Sequence, residues 1–82
     1  MVEAKEAAAN AEKFLHALYE GKQISSVRVE EVELSSDQAH WLITLSFDPR
    51  VNSIGLDPRT LRVFRVRRED GVVESMKMRT SQ

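Results

Sequence analysis

The chain contains no cysteine, only three glycines and two prolines among 82 residues, and apolar runs only a few residues long. The absence of cysteine excludes disulfide bonds and thiolate zinc sites. With so few glycines, none of the glycine-rich phosphate-binding motifs is present. A helix that spans a membrane needs about 20 consecutive apolar residues, so we expect no membrane span.

Groups that could converge for catalysis or metal binding are also scarce. The only histidines, His16 and His40, lie far apart and have no second histidine at ligand spacing. The carboxylates of Glu30, Glu31 and Glu33 are more typical of a solvated strand face than of an acid–base pair flanking a sugar. No serine has the sequence context of a nucleophile elbow. We therefore expect no enzyme activity, no metal and no cofactor, unless the connection 48–60 covers a pocket.

The residues that are present indicate one folded domain over residues 1–82. Hydrophobic residues make up 41% of the chain and charged residues 30%, a balance typical of a folded protein and not of a disordered tail. The N-terminal residues lack the apolar core of a secretory signal, so a cytoplasmic location is expected.

Residues 2–19 are predicted to form an amphipathic helix. Its apolar residues recur at steps of three and four and form one stripe, made of Ala4, Ala7, Ala8, Ala11, Phe14, Leu15 and Leu18. Alanine has the strongest helix propensity, and small side chains let a helix approach a sheet closely. Gly21 follows the stripe as a candidate C-cap.

Four strands are predicted after the helix, at residues 24–34, 39–47, 61–68 and 72–79. In the first, Val27 and Val29 have one parity and Val32 and Leu34 the other, which predicts a bulge near Glu30–Glu31. Residues 35–38 form a turn. Asp70–Gly71 predicts a two-residue hairpin turn in which both residues have positive φ. The long connection 48–60 contains Asp-Pro-Arg twice.

Alternation along the strands predicts which side chains face the helix. Trp41, Leu45, Phe64 and Leu15 are expected in one shared core. The remaining inward residues are Ile43, Phe47, Val66, Met76 and Met78. The predicted fold is therefore α+β, with the N-terminal helix packed on a four-stranded antiparallel meander in the order αββββ.

Charge is distributed unevenly along the chain. Residues 1–40 carry four basic and eight acidic side chains, a balance of −4, whereas residues 41–82 carry eight basic and five acidic ones, a balance of +3. The arginines of strands three and four favour a nucleic-acid or anion surface as one hypothesis. However, the aromatic residues all have inward parity, and a sheet that binds nucleic acid usually stacks bases on aromatic side chains. Pairing of the arginines with neighbouring carboxylates is the alternative.

The alanine-rich helix, the following strands and the closing hairpin from Val63 to Met78, which contains Glu69-Asp70-Gly71-Val72, resemble PepSY-like and cystatin-like small domains. This resemblance covers residues 4–79. It implies a non-enzymatic role in which the domain binds or restrains a partner, often a protease. It carries no functional residue over to this chain.

The outward side of strands two to four is the predicted partner surface. By parity it holds Leu42, Val63, Arg65, Arg67, Val73, Lys77 and Arg79. A sheet face that meets only water alternates cleanly between apolar and polar residues, and this one mixes aliphatic side chains with arginine, which is enriched at interfaces. We expect a non-catalytic protein-interaction or regulatory module, with a protein partner or self-association; nucleic-acid or anion binding is the alternative hypothesis.

Overall fold

The computed structural model describes residues 1–19, 24–49 and 60–79 and contains one helix followed by four strands. The strands form a single antiparallel sheet in the order β1-β2-β3-β4, so each strand pairs with its neighbour in sequence. The predicted α+β fold is confirmed. The elements are α1 (Ala4–Leu18), β1 (Ile24–Leu34), β2 (His40–Pro49), β3 (Thr60–Arg67) and β4 (Val73–Arg79). Gly21 and residues 50–59 of the long connection lie outside the described residues.

The helix packs on one face of the sheet through small residues near its start and larger ones near its end. Ala7, Ala11 and Leu15 are fully buried against the sheet. The other buried core residues are Ile43, Leu45 and Phe47 of β2, Phe64 and Val66 of β3, and Val2 before the helix. The predicted inward parity of these two strands is confirmed. Trp41 is half-buried against the same core.

Aromatic contacts fix the helix over the centre of the sheet. Phe14 meets Phe64 edge-on with ring centroids 6.1 Å apart, and Tyr19 contacts Phe47 at 5.4 Å. Arg62 also lies on this side, with its guanidinium carbon 5.9 Å from the centre of the Phe47 ring. On the same side, Val29 and Val32 of β1 and Met78 of β4 remain exposed.

Residues at the rim of this packing are more exposed than their parity predicts. Leu18 is 53% exposed and Met78 is 74% exposed. Met78 does share the helix side, because it pairs with Arg62, but β4 is an edge strand and its far end is uncovered there. The predicted inward side of Met78 is confirmed, although the residue stays exposed, and the expectation that Leu18 fills the core is wrong.

Two irregularities bend β1. The predicted bulge at Glu30–Glu31 is confirmed, because the register against β2 shifts between Val29 and Glu31. A second shift between Ser25 and Arg28 coincides with a positive φ of 57° at Ser26. The bulges let Val27, Val29 and Val32 all stay on the helix side, although their spacing would otherwise send them to opposite faces.

The β3–β4 hairpin corrects two sequence expectations. Its loop has four residues and not two, because the Arg67 amide donates to Val72 O over 2.8 Å. Asp70 and Gly71 were both expected to have positive φ, but only Gly71 does. β4 also contains a bulge at Glu74, so Val73 pairs with Val66 and packs against the core. Val73 therefore belongs to the helix side, and its predicted place on the outward face is wrong.

The N-terminus is bound to the hairpin end of the sheet. The Val2 amide donates to Arg68 O over 2.8 Å, and the Trp41 indole donates to Val2 O over 3.1 Å. Asn10 donates from Nδ2 to Gly71 O over 2.9 Å. A β-carbon at Gly71 would lie only 2.8 Å from that Asn10 nitrogen, so glycine satisfies both the positive φ and the close approach of the helix.

Candidate partner surface on the outer face of the sheet

The candidate surface is the sheet face opposite α1, called the outer face from here on. The strand register assigns to it Arg28, Glu31 and Glu33 of β1, His40, Leu42, Thr44 and Ser46 of β2, Leu61, Val63, Arg65 and Arg67 of β3, and Ser75, Lys77 and Arg79 of β4. Two bulged residues, Glu30 and Glu74, add carboxylates that contact this set. The face therefore has aliphatic residues at its centre and charged residues of both signs around them.

The aliphatic centre consists of Leu42, Leu61 and Val63, all of which are half-buried. No register shift interrupts the β2–β3 pairing, so Val63 keeps the outward parity that the sequence predicts and Leu61 lies on the same face. Between them, Thr44 and Ser46 are only 3% and 1% exposed. The centre of this face is therefore packed more tightly than an ordinary solvated sheet face.

One ion pair crosses the face from edge strand to edge strand. Arg79 on β4 donates to both carboxylate oxygens of Glu31 on β1, and it also approaches the Thr44 hydroxyl at 3.4 Å. Glu31 and Arg79 are separated by two intervening strands, so the long side chains lean inward over the sheet. This pair contributes to the burial of Thr44.

A second cluster of charges lies at the hairpin end of the face. His40 Nε2 and Glu74 Oε1 are 2.6 Å apart, and Arg67 reaches the other oxygen of Glu74 at 3.5 Å. Arg67 also forms a two-point contact with Asp70, at 2.9 Å and 2.5 Å. Arg65 lies 3.9 Å from Glu74 Oε1. The predicted pairing of the arginines with neighbouring carboxylates is therefore observed for Arg65, Arg67 and Arg79.

These pairs change the acidity of their members. The Arg67 hydrogen bond, with help from the Val72 amide, lowers the pKa of Asp70 to about 2. The Arg79 hydrogen bond and charge likewise lower the pKa of Glu31, and the Glu31 hydrogen bond and charge raise the pKa of Arg79. At neutral pH the carboxylates of both pairs are therefore charged.

Of the seven residues predicted for the partner surface, six lie on the outer face. Leu42, Val63, Arg65, Arg67, Lys77 and Arg79 are brought together there, and Val73 is on the opposite side. Sequence reasoning missed Glu31, Glu74 and His40 as parts of this surface. Glu31 had a local signal in the bulge at Glu30–Glu31, whereas the Glu74 bulge leaves no local trace because Val72–Val73 fits either parity.

Other basic residues of β3 and its hairpin point elsewhere. Arg62 lies on the helix side, and Arg68 places its guanidinium 6.0 Å from the centre of the Trp41 ring while donating to Gln38 O. The arginines of β3 and its hairpin are thus divided between surfaces, and Arg59, just before β3, lies outside the described residues. Among the described residues, these arginines form no single cationic groove.

Features of an enclosed site are limited in the described part of the chain. A depression of about 260 Å³ lies beside the hairpin, lined in part by Met1, His40, Arg67, Arg68 and Glu74. It is smaller than the roughly 300–1,000 Å³ of ordinary small-molecule sites. A second depression of about 540 Å³ at the start of α1 is more open to solvent and is lined by Met1, Glu3, Lys5, Glu6 and Ala9. Within the described ranges, no group of three histidine or carboxylate residues is placed to hold a metal ion.

No helix among these residues has the length and apolar character needed to cross a membrane.

Comparison with protein-family models, with curated proteins and with solved structures found no significant match. The resemblance to PepSY-like and cystatin-like domains therefore stays a prediction.

We expect the Arg67–Asp70 ion pair to stabilise the fold at neutral pH and to lose this contribution in acid. The folded-state pKa of Asp70, about 2, lies below the value of about 3.9 for an unfolded aspartate. The pair therefore stabilises the fold above pH ~4, and this contribution is lost as the pH falls from about 4 to about 2.

Replacing Asp70 with asparagine should lower the urea midpoint at pH 7 and leave it nearly unchanged at pH 2. The neighbouring Glu69→Gln, at an exposed position in the same loop, serves as the control and should show a smaller effect at pH 7. An Asp70→Asn deficit of equal size at both pH values would contradict this assignment.

Proposed function

We propose that this chain is a non-catalytic interaction module that binds a protein partner through the outer face of its sheet. The observation that carries the proposal is the composition of that face. Half-buried Leu42, Leu61 and Val63 form its centre, and charges of both signs surround them. Protein interfaces typically have such an apolar centre with a polar rim and are enriched in arginine.

The pairing of the arginines supports a protein partner over a nucleic acid. A polyanion requires cations that are available for phosphates, whereas Arg67 and Arg79 already contact carboxylates. The aromatic side chains Trp41, Phe47 and Phe64 lie on the helix side and offer no stacking platform on the outer face. A surface of mixed sign is better suited to a protein surface of complementary mixed sign.

Site-specific cross-linking tests the proposal directly. Because the chain has no cysteine, one cysteine can be introduced at Lys77 on the outer face and labelled with a photoactivatable group. A matched cysteine at Lys13, exposed on the helix, reports contacts of the opposite side. In extracts of cells that express the chain, we expect a defined polypeptide adduct from position 77 and none from position 13.

Two results would overturn the proposal. Equal adduct patterns from positions 77 and 13 would show that the outer face is not preferred. A gel shift with mixed DNA and RNA that is lost in Arg65→Ala would assign the face to nucleic acid instead. Arg65 is the informative arginine for this test because it is exposed and is held less closely by a carboxylate than Arg67 or Arg79.

A further inference from the structure

The charges of the outer face are sorted by strand. β1 carries Glu30, Glu31 and Glu33 on or beside this face, and β4 carries Lys77 and Arg79. These two strands are the opposite edges of the sheet. Glu31 and Arg79 pair with each other across the face. The charges left uncompensated in its middle are therefore acidic at the β1 edge, from Glu33, and basic at the β4 edge, from Lys77, with aliphatic Leu42 and Val63 between them.

From this pattern we propose that the partner of the outer face is a second copy of the same chain, stacked face to face so that β1 of each copy lies over β4 of the other. The inference rests on the proposed function, because it requires the outer face to be an interaction surface. It adds the identity of the partner and the orientation of the two copies.

The orientation follows from symmetry. Two copies that meet face to face are related by a two-fold axis lying in the interface. An axis parallel to the strands exchanges the two edges, so acidic β1 meets basic β4 at both ends of the dimer. An axis perpendicular to the strands would place β1 on β1 and β4 on β4, where like charges repel. The observed sorting of charge favours the first axis.

The central rows of the face fit that axis best. Glu31 and Lys77 occupy one row with Thr44 and Val63 between them, so the axis places Glu31 of each copy over Lys77 of the other. The aliphatic centres then meet across the axis. At the two ends of the face the charges have the opposite sign to the rest of their strand: Arg28 is basic on β1, and Glu74 is acidic on β4. Glu74 already contacts His40 and Arg67 within its own chain.

The size of the face predicts a weak dimer. With strands about 4.8 Å apart and about 3.4 Å per residue, the face measures roughly 19 by 24 Å, or about 450 Å² in projection for each copy. Stable interfaces bury about 1,200–2,000 Å² in total, and smaller ones belong to transient complexes. We therefore expect dimerisation at roughly micromolar to millimolar concentration.

Glu33 and Lys77 allow a clean charge-swap experiment. Within residues 1–19, 24–49 and 60–79, neither side chain forms a salt bridge. Reversing either charge therefore breaks no described salt bridge, and Glu33→Lys also replaces the attraction of Glu33 for Arg79, which raises the Arg79 pKa, with a repulsion. In the proposed dimer, Glu33→Lys places positive charge against positive β4, and Lys77→Glu places negative charge against negative β1.

Sedimentation equilibrium would measure wild type, Glu33→Lys, Lys77→Glu and an equimolar mixture of the two variants. We expect each variant alone to weaken dimerisation about tenfold, because an attraction becomes a repulsion at two symmetry-related places. The mixture should recover affinity close to wild type, because the swapped edges are again complementary. Lys13→Glu on the helix matches the net-charge change of Lys77→Glu and should leave dimerisation unchanged. Circular dichroism confirms that each variant is folded.

The outcomes separate this inference from the proposed function. A wild-type chain that stays monomeric at millimolar concentration overturns self-association, while a foreign polypeptide cross-linked at position 77 would leave the proposed function standing. A dimer that neither swap weakens, or that the mixture fails to restore, forms through another surface and overturns the orientation. A monomer with no adduct at position 77 contradicts both proposals.

Discussion

Replacing Leu45 with alanine is expected to destabilise the domain by about 2–5 kcal/mol. Leu45 is fully buried between the helix and the sheet, in the middle of β2. The loss combines the transfer free energy of the removed methyl and methylene groups with the energy of the cavity that remains. Domains have only about 0.05–0.15 kcal/mol of net stability per residue, so this is a large share for 82 residues.

Leu42→Ala is the matched control for Leu45→Ala. It removes the same atoms from the same strand, but Leu42 lies on the outer face and is only half-buried. We therefore expect a clearly smaller shift of the urea midpoint for Leu42→Ala. Equal midpoints for the two variants would mean that both faces of β2 are packed alike, contrary to the observed burial.

Replacing Ala11 with leucine is expected to destabilise the domain by about 1–3 kcal/mol, although leucine is nearly as good a helix former as alanine. Ala11 is fully buried where α1 crosses the sheet. A larger side chain there must push the helix away from β2 or adopt a strained rotamer. Either response weakens neighbouring contacts of the core, so both the urea midpoint and the melting temperature should fall.

Ala9→Leu gives the comparison for Ala11→Leu. Ala9 is on the same helix and is exposed to solvent. The same substitution should therefore change stability by only a few tenths of a kcal/mol, in line with the small difference in helix propensity. Comparable losses at positions 9 and 11 would point to an effect on helix formation and would contradict a steric effect at the sheet.

Local periodicity predicted the order of the elements and most of the core. The stripe that contains Ala7, Ala11 and Leu15 lies against the sheet as expected, because a helix brings residues three and four apart to one side. The alternation from Trp41 to Phe47 likewise identified the helix side of β2. Even the bulge at Glu30–Glu31 was predictable, because valines and a leucine of opposite parity within one strand cannot otherwise share a face.

Where the local pattern fitted both faces of the sheet equally well, the sequence could not predict which face a side chain occupies. Val72 and Val73 are identical neighbours, so parity alone could not show that Glu74 is bulged out and Val73 turned inward. The exposure of Leu18 and Met78 depends on where the helix stops covering the sheet, which is a property of packing and not of periodicity.

The sequence by itself determined the helix, the strands, the antiparallel meander and the absence of thiol chemistry, because these follow from residue type and from periods of 3.6 and 2 along the chain. Only the tertiary structure decided which charges meet. Glu31 and Arg79 are 48 positions apart and become partners because the twisted sheet lets long side chains reach across two strands. The positions of the charges on the outer face depend equally on strand register and on the bulge at Glu74, which no local pattern encodes.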